Sequence, residues 1–264
     1  MTQPDIKNNN RWTREQLELA FHLYCQLPFG KLHYSNPDIV SLAKLIGRTP
    51  SAVAMKLVNF ASLDPAITNS GRKGLGNASA ADRAVWEEFH ADWEGLATKS
   101  EQIIATLGGK IIAPDKDEVI TEDFPNGYSG ANRIATVSVR IKQQFFRRTV
   151  LASYQNRCCM SGTTTNELLI ASHIVPWAKD ETNRLNPHNG LCLSALHDKA
   201  FDRGLITVIP DMSIRVSGII KKRRDDSSVE NILASLDGRS IQLPEKFLPS
   251  PDLLRWHNEN LFME

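Results

Sequence analysis

The chain has 264 residues, 41% of them hydrophobic, and a formal net charge of +1. That is enough for one large or two modest domains with a real core, and a sum so near zero argues neither for nor against a nucleic-acid partner. No apolar run approaches the roughly 20 residues that cross a bilayer, and the start "MTQPDIKNNN" lacks the apolar stretch of a secretory signal, so a cytoplasmic protein with no membrane partner is expected. Cys25, Cys158, Cys159 and Cys192 form no regular disulfide framework, which fits a reducing compartment.

In chain order, Thr13 caps a first helix whose Trp12, Leu17, Ala20, Phe21 and Tyr24 recur at helical spacing, and Pro28 with Gly30 stops it. Asn36 caps and Pro37 opens a second helix that ends at Gly47; Thr49 and Pro50 open a third. The short link between them is helix-turn-helix in style. Three such helices, with Arg48 and Lys56 read as exposed cations, resemble the Myb-like or homeodomain-like tri-helical group. That resemblance implies DNA contact by residues 1–67, although compact three-helix units also dock a partner protein or a second copy. Residues 68–78 are Gly-rich and read as a connection, and 79–108 as one long helix with Trp86, Phe89, Trp93 and Leu96 on its apolar stripe.

Residues 109–132 are irregular and punctuated by Pro and Gly, a second connection. Charge is then uneven: from Phe124 to Asn166 there is no Asp or Glu, while Arg133, Arg140, Lys142, Arg147, Arg148 and Arg157 all fall inside. Uncompensated cations suit a phosphate backbone, although a solvated helix face paired elsewhere would look the same. A helix carries most of them, with Val137, Ile141, Phe145, Val150 and Tyr154 on its apolar side. A strand follows from Leu168 to Val175, then a turn at Asn186–Gly190, a second strand "GLCL", and a helix "SALHDKAFDRG" capped by Ser194 and closed by Gly204.

That order of strand, loop, strand and helix, with "RRTVLASYQNRCCMSG", "ASHIVPW", "NPHNGLCLS" and "HDKAFDRGLI", resembles the His-Asn-His (HNH) nuclease family and its ββα-metal unit. The match runs over residues 140–208. A lone His173 in an apolar run is most often a hydrogen-bonded core residue. The resemblance makes it the base that activates water, with Asn189 spanning the loop and orienting it. The family's helix-borne metal ligand falls on Asp198, nine residues after Asn189. Asp202 lies one helical turn further and projects from the same face, so the ligands rank Asp198, Asp202, then His197. Hard Mg²⁺ or Mn²⁺ prefers the oxygen pair. Many family members carry Asp or His just before the base, where this chain has Ser172, so weak metal affinity is expected. Cys158 is followed by Ser161, and Cys192 by Ala195, at the spacing where a zinc knuckle needs cysteine, so no structural zinc is expected.

Beyond the helix, "LITVIPDMSIRVS" reads as a hairpin turning at Pro210 and Asp211, "KKRRDD" as a solvated loop, and the tail as packing back through Leu253, Leu254, Trp256 and Phe262, with His257 a surface histidine. The fold class expected is α+β, a helical N-terminal region followed by a ββα-metal domain over 133–264 with a C-terminal hairpin. A fragment from about Ala131 would then hold every catalytic part. The expected activity is metal-dependent DNA hydrolysis of a restriction or phage-defence type. The alternatives are a catalytically idle DNA-binding or regulatory protein, or a nuclease acting on RNA.

Overall fold

A computed structural model describes residues 11–71, 76–108, 130–222 and 227–264. Helix α1, Arg14–Gln26, starts where expected: Thr13 Oγ1 accepts from Gln16 N and Gln16 Oε1 accepts from Thr13 N, each at 3.2 Å, a reciprocal capping box. Helices α2 (Pro37–Leu45) and α3 (Pro50–Ala61) are capped by Asn36 and Thr49, and a short α4, Pro65–Asn69, follows. Phe21, Tyr24, Phe60 and Phe89 are buried and meet at ring separations of 5.1–6.3 Å.

The single helix expected over 79–108 is two, α5 (Ala80–Ala91) and α6 (Trp93–Thr106). Asp92 leaves the helical region at φ −145°, ψ 77°, and its Oδ1 accepts from Gly95 N at 2.8 Å, capping α6. A Cβ on Gly95 would lie 2.1 Å from Asp92 Oδ2, so the cap requires glycine there.

The second half is α+β, as expected. Helix α7 (Gly130–Ser153) precedes strand β1 (Leu169–His173), which pairs antiparallel with β2 (Gly190–Ser194), Leu169 facing Ser194 and His173 facing Gly190. Helix α8 (Ala195–Asp202) follows directly. It ends at Gly204 (φ +65°), where a Cβ would collide with Leu261 O at 1.9 Å. Strands β3 (Ile206–Val208) and β4 (Ile214–Val216) form the expected hairpin as a separate two-stranded sheet. Helices α9 (Gly218–Lys222) and α10 (Ser227–Ala234) were not anticipated; residues 223–226 of "KKRRDD" lie outside the described residues. Helix α11, Pro251–Asn260, packs on β3 with Leu254 fully buried.

Buried residues of the two halves belong to one hydrophobic cluster. His22 of α1 stacks on Phe145 of α7 at 5.1 Å, and Lys142 of α7 pairs with Glu94 of α6. Lys246 is fully buried and its ammonium donates to the carbonyls of Tyr24, Cys25 (3.0 Å) and Leu27 (2.8 Å), the open end of α1. Phe247 beside it packs edge-on against Tyr24 and Trp93. The connection expected at 109–132 lies outside the described residues up to 129, as do residues 72–75 of the earlier one. All four cysteines are free and buried. Among the described residues no helix is long and apolar enough to cross a membrane.

His257 is not at the surface. It is fully buried, stacked on Phe201 at 3.8 Å and bonded to Thr207 Oγ1 at 2.8 Å, because α11 turns that face onto β3. Burial lowers its pKa to about 4, and that of His22 to about 3. Below the unfolded value of 6.5 the unfolded chain therefore holds more protons, and stability falls as pH drops from 6.5 towards 4, at a limiting slope of about 1.4 kcal/mol per pH unit for each imidazole. Urea midpoints at pH 7 and pH 5 should show this loss, and a smaller one in His257→Gln; equal losses would place the acid sensitivity elsewhere.

Candidate active site

His173 is the last residue of β1, opposite Gly190. The register brings α7 hard against this end of the sheet: a Cβ on Gly190 would lie 2.3 Å from Val150 Cγ2 and 3.2 Å from Phe146 Cζ. Glycine at this position lets Phe146 lie flat on the imidazole, 3.9 Å between ring centres and 7° between planes. Trp177 meets the imidazole edge-on at 5.7 Å. The Nε2 of His173 lies 2.9 Å from Arg184 O, and a carbonyl only accepts, so Nε2 carries the proton and Nδ1 keeps its lone pair. Burial lowers the pKa of the imidazole, with the Arg184 carbonyl working the other way, so it is neutral at pH 7.

Asn189 is fully buried. Its Oδ1 accepts from Val175 N at 2.8 Å, and its Nδ2 donates to Val175 O and Asn183 O, both at 3.1 Å. With the Ile174 N to Asn189 O bond at 2.9 Å, these contacts fasten the exit of β1 to the entry of β2. Asn189 holds the strand ends around His173 rather than touching its ring.

On α8, Asp198 and Asp202 are near enough to interact. Burial raises Asp198, while Ser172 and Lys199 pull it back. Partial burial first, and then the charge of Asp198, lift Asp202 to about 6, although its side chain reaches the surface. Ser172 is 2% exposed and its hydroxyl stands beside Asp198 without completing a regular hydrogen bond. His197 points elsewhere: its buried ring meets Ser194 Oγ at 2.8 Å and Cys158 Sγ at 3.6 Å through Nδ1. Ser194 Oγ is therefore not the helix cap expected of it. Among the described residues no three His, Cys, Asp or Glu side chains converge as a ready metal cage.

The expected phosphate contacts divide. Arg140 and Arg157 are exposed, the latter also donating to Gly162 O at 3.1 Å. Lys142 is paired with Glu94, Arg147 Nη1 donates to Leu169 O at 2.8 Å, and Arg148 lies near His22 and Glu101. The side chain of Arg133 is outside the description. Lys56 is buried, bound to both oxygens of Asp82 at 2.9 and 3.0 Å and set over Trp12, which corrects its reading as an exposed cation. Arg48 bonds Arg11 O and Gln16 Oε1 and lies over Trp12. Both cations knit the helical unit together.

Phe146, Trp177 and Arg184 surround His173 and were not singled out for it by pattern. The one usable signal is the doubled Phe145–Phe146: only Phe145 falls on the apolar stripe of α7, so its neighbour must serve a second contact. A search among curated proteins finds no match. Residues 158–209 match the HNH endonuclease family, and that match spans the antiparallel pair of β1 and β2 and helix α8.

Proposed function

We propose that this protein is a divalent-metal-dependent DNA endonuclease, serving restriction or defence against phage. The observation that carries the reading is the fixed state of His173: a neutral imidazole, oriented on three sides, with Nδ1 free to take a proton from water. In this role the Nδ1 of His173 accepts the proton, the Arg184 carbonyl stabilises the imidazolium that forms, and Asn189 keeps the strand ends in register. Asp198 and Asp202 fit a hard cation, since the charge of Asp198 raises the pKa of Asp202 and a counter-charge would relieve it, and the incompletely bonded hydroxyl of Ser172 adds an oxygen beside Asp198. When bound, Mg²⁺ or Mn²⁺ supplies charge stabilisation at the leaving oxygen. Arg140 and Arg157 are the exposed cations offered to the phosphate backbone.

The sparse ligand set favours one second reading, a catalytically idle DNA-binding protein. Incubating the purified protein with plasmid and linear DNA, and with RNA, under Mg²⁺, Mn²⁺ and EDTA separates the readings. Cleavage of DNA that EDTA abolishes supports the proposal; binding without cleavage under any metal supports the second reading. Asp198→Ala should raise the Mg²⁺ concentration for half-maximal rate by at least about tenfold, the scale on which even supporting residues tune metal sites. His197→Ala should change it less, because that ring is engaged by Ser194 and Cys158. The reverse order would move the ligand to His197.

A further inference from the structure

Arg184 looks from its charge like a phosphate hook, yet its side chain turns back on its own loop. Nε donates to Trp177 O at 2.9 Å, the guanidinium carbon lies 5.3 Å from the centre of the Trp177 ring, and Nη2 reaches Glu181 Oε1 at 3.1 Å. The segment from Trp177 to Arg184 is thereby closed into a ring. Inside it, Asp180 Oδ1 accepts from Thr182 N and Asn183 N, and Asn183 O is taken by Asn189. The next carbonyl in the chain, that of Arg184 itself, is the one that receives Nε2–H of His173.

We propose that Arg184 is a positioning residue for the general base: by clasping Trp177 it places its own backbone carbonyl against Nε2 of His173 and so fixes which imidazole nitrogen is left to accept a proton. The proposal rests on the reading of His173 as the base. Two features of arginine are used here, an Nε donor fixed in the guanidinium plane and a flat face for the indole, and lysine has neither. Trp177 serves twice, as the platform for Arg184 and as the edge contact on His173.

The discriminating variant is Arg184→Lys in the full-length chain. A lysine preserves a positive charge for phosphate, so a phosphate hook would survive the change and a clasp would not. We expect turnover at saturating DNA to fall by about a hundredfold, the scale of a 1 Å misplacement, with KM unchanged. The log-log salt slope of DNA binding should stay as in the parent, and Arg184→Ala should behave alike. Nitrogen-15 NMR of histidine-labelled protein should show His173 leaving the Nε2–H tautomer in both variants. A hook predicts the opposite: normal turnover in Arg184→Lys, and in Arg184→Ala a slope smaller by about 0.9 with the tautomer unmoved; that result overturns the proposal. If Arg184→Ala does not fold, Arg184→Lys and Trp177→Phe decide by the same readouts, Trp177→Phe being expected to retain part of the stack and part of the rate. The tautomer is measured without cleavage, so a parent protein that cuts nothing would defeat the nuclease reading while the NMR comparison still judges the clasp.

Discussion

Replacing His173 by alanine is expected to abolish DNA cleavage while DNA affinity and folding persist. A positioned base contributes about 10²- to 10⁴-fold, and no other imidazole is placed to substitute. His188 donates from Nδ1 to Leu248 O in the far loop, His197 is held by Ser194 and Cys158, and His257 is buried under α11. The change removes one partner from Arg184 O and the ring under Phe146, but the Asn189 bonds that hold β1 to β2 do not involve the side chain of His173. Thermal unfolding should therefore shift little, and the exposed Arg140 and Arg157 are left unchanged. Because burial depresses the imidazole pKa, the parent should stay active somewhat below pH 6.5, where an ordinary histidine is already mostly protonated. Cleavage at the parental rate by the alanine variant would end the assignment of His173 as base.

Removing residues 1–129 should unfold the C-terminal half rather than release it. The deletion would strip His22 from Phe145, Glu94 from Lys142, and Tyr24 and Trp93 from Phe247. It would also leave the ammonium of Lys246 without its three carbonyl acceptors. A fragment starting near Ala131 is expected to be insoluble or to unfold without cooperativity, and to be inactive. The same contact can be tested in the intact chain. Lys246→Met fills the space but leaves the α1 carbonyls unpaired at about 1–3 kcal/mol each, offset by the desolvation the buried charge no longer incurs, so a net loss of about 3 kcal/mol is expected. For a domain of this size that corresponds to roughly 6–12 °C in Tm. A soluble, cooperatively folding fragment that cleaves DNA would show instead two separable units.

Local signals were legible in the sequence, and long-range pairing was not. Thr13, Asn36 and Thr49 announced their helices because a cap acts within three residues. The break at Asp92 was hidden because the stripe of Trp86, Phe89, Trp93 and Leu96 keeps helical spacing across it. Lys56 read as exposed because its partner, Asp82, lies 26 residues away on another helix. His257 was misplaced for the same reason, its partner Thr207 being 50 residues distant. The strand pair was readable from its apolar runs and the turn between them, whereas Asn189 and the α8 carboxylates were singled out through the family resemblance. Arg184 was not, since its contribution to the base comes from a backbone carbonyl, which every residue has.

The buried, unpaired state of all four cysteines makes the protein report its own opening. In the native chain none is more than 1% exposed, so a thiol reagent must wait for a fluctuation. Cys25 lies in the helical half, whereas Cys158, Cys159 and Cys192 lie around the strand pair. Burial works against ionisation of Cys158, but its contacts with His197 and Ser161 outweigh this and bring its pKa down to about 6, so an opening that keeps those contacts exposes a reactive thiolate. Matching labelling rates at Cys25 and Cys192, after correction for intrinsic reactivity, would mean that the halves open in one event; faster labelling at one site would time the two openings separately, with no probe attached and no residue changed.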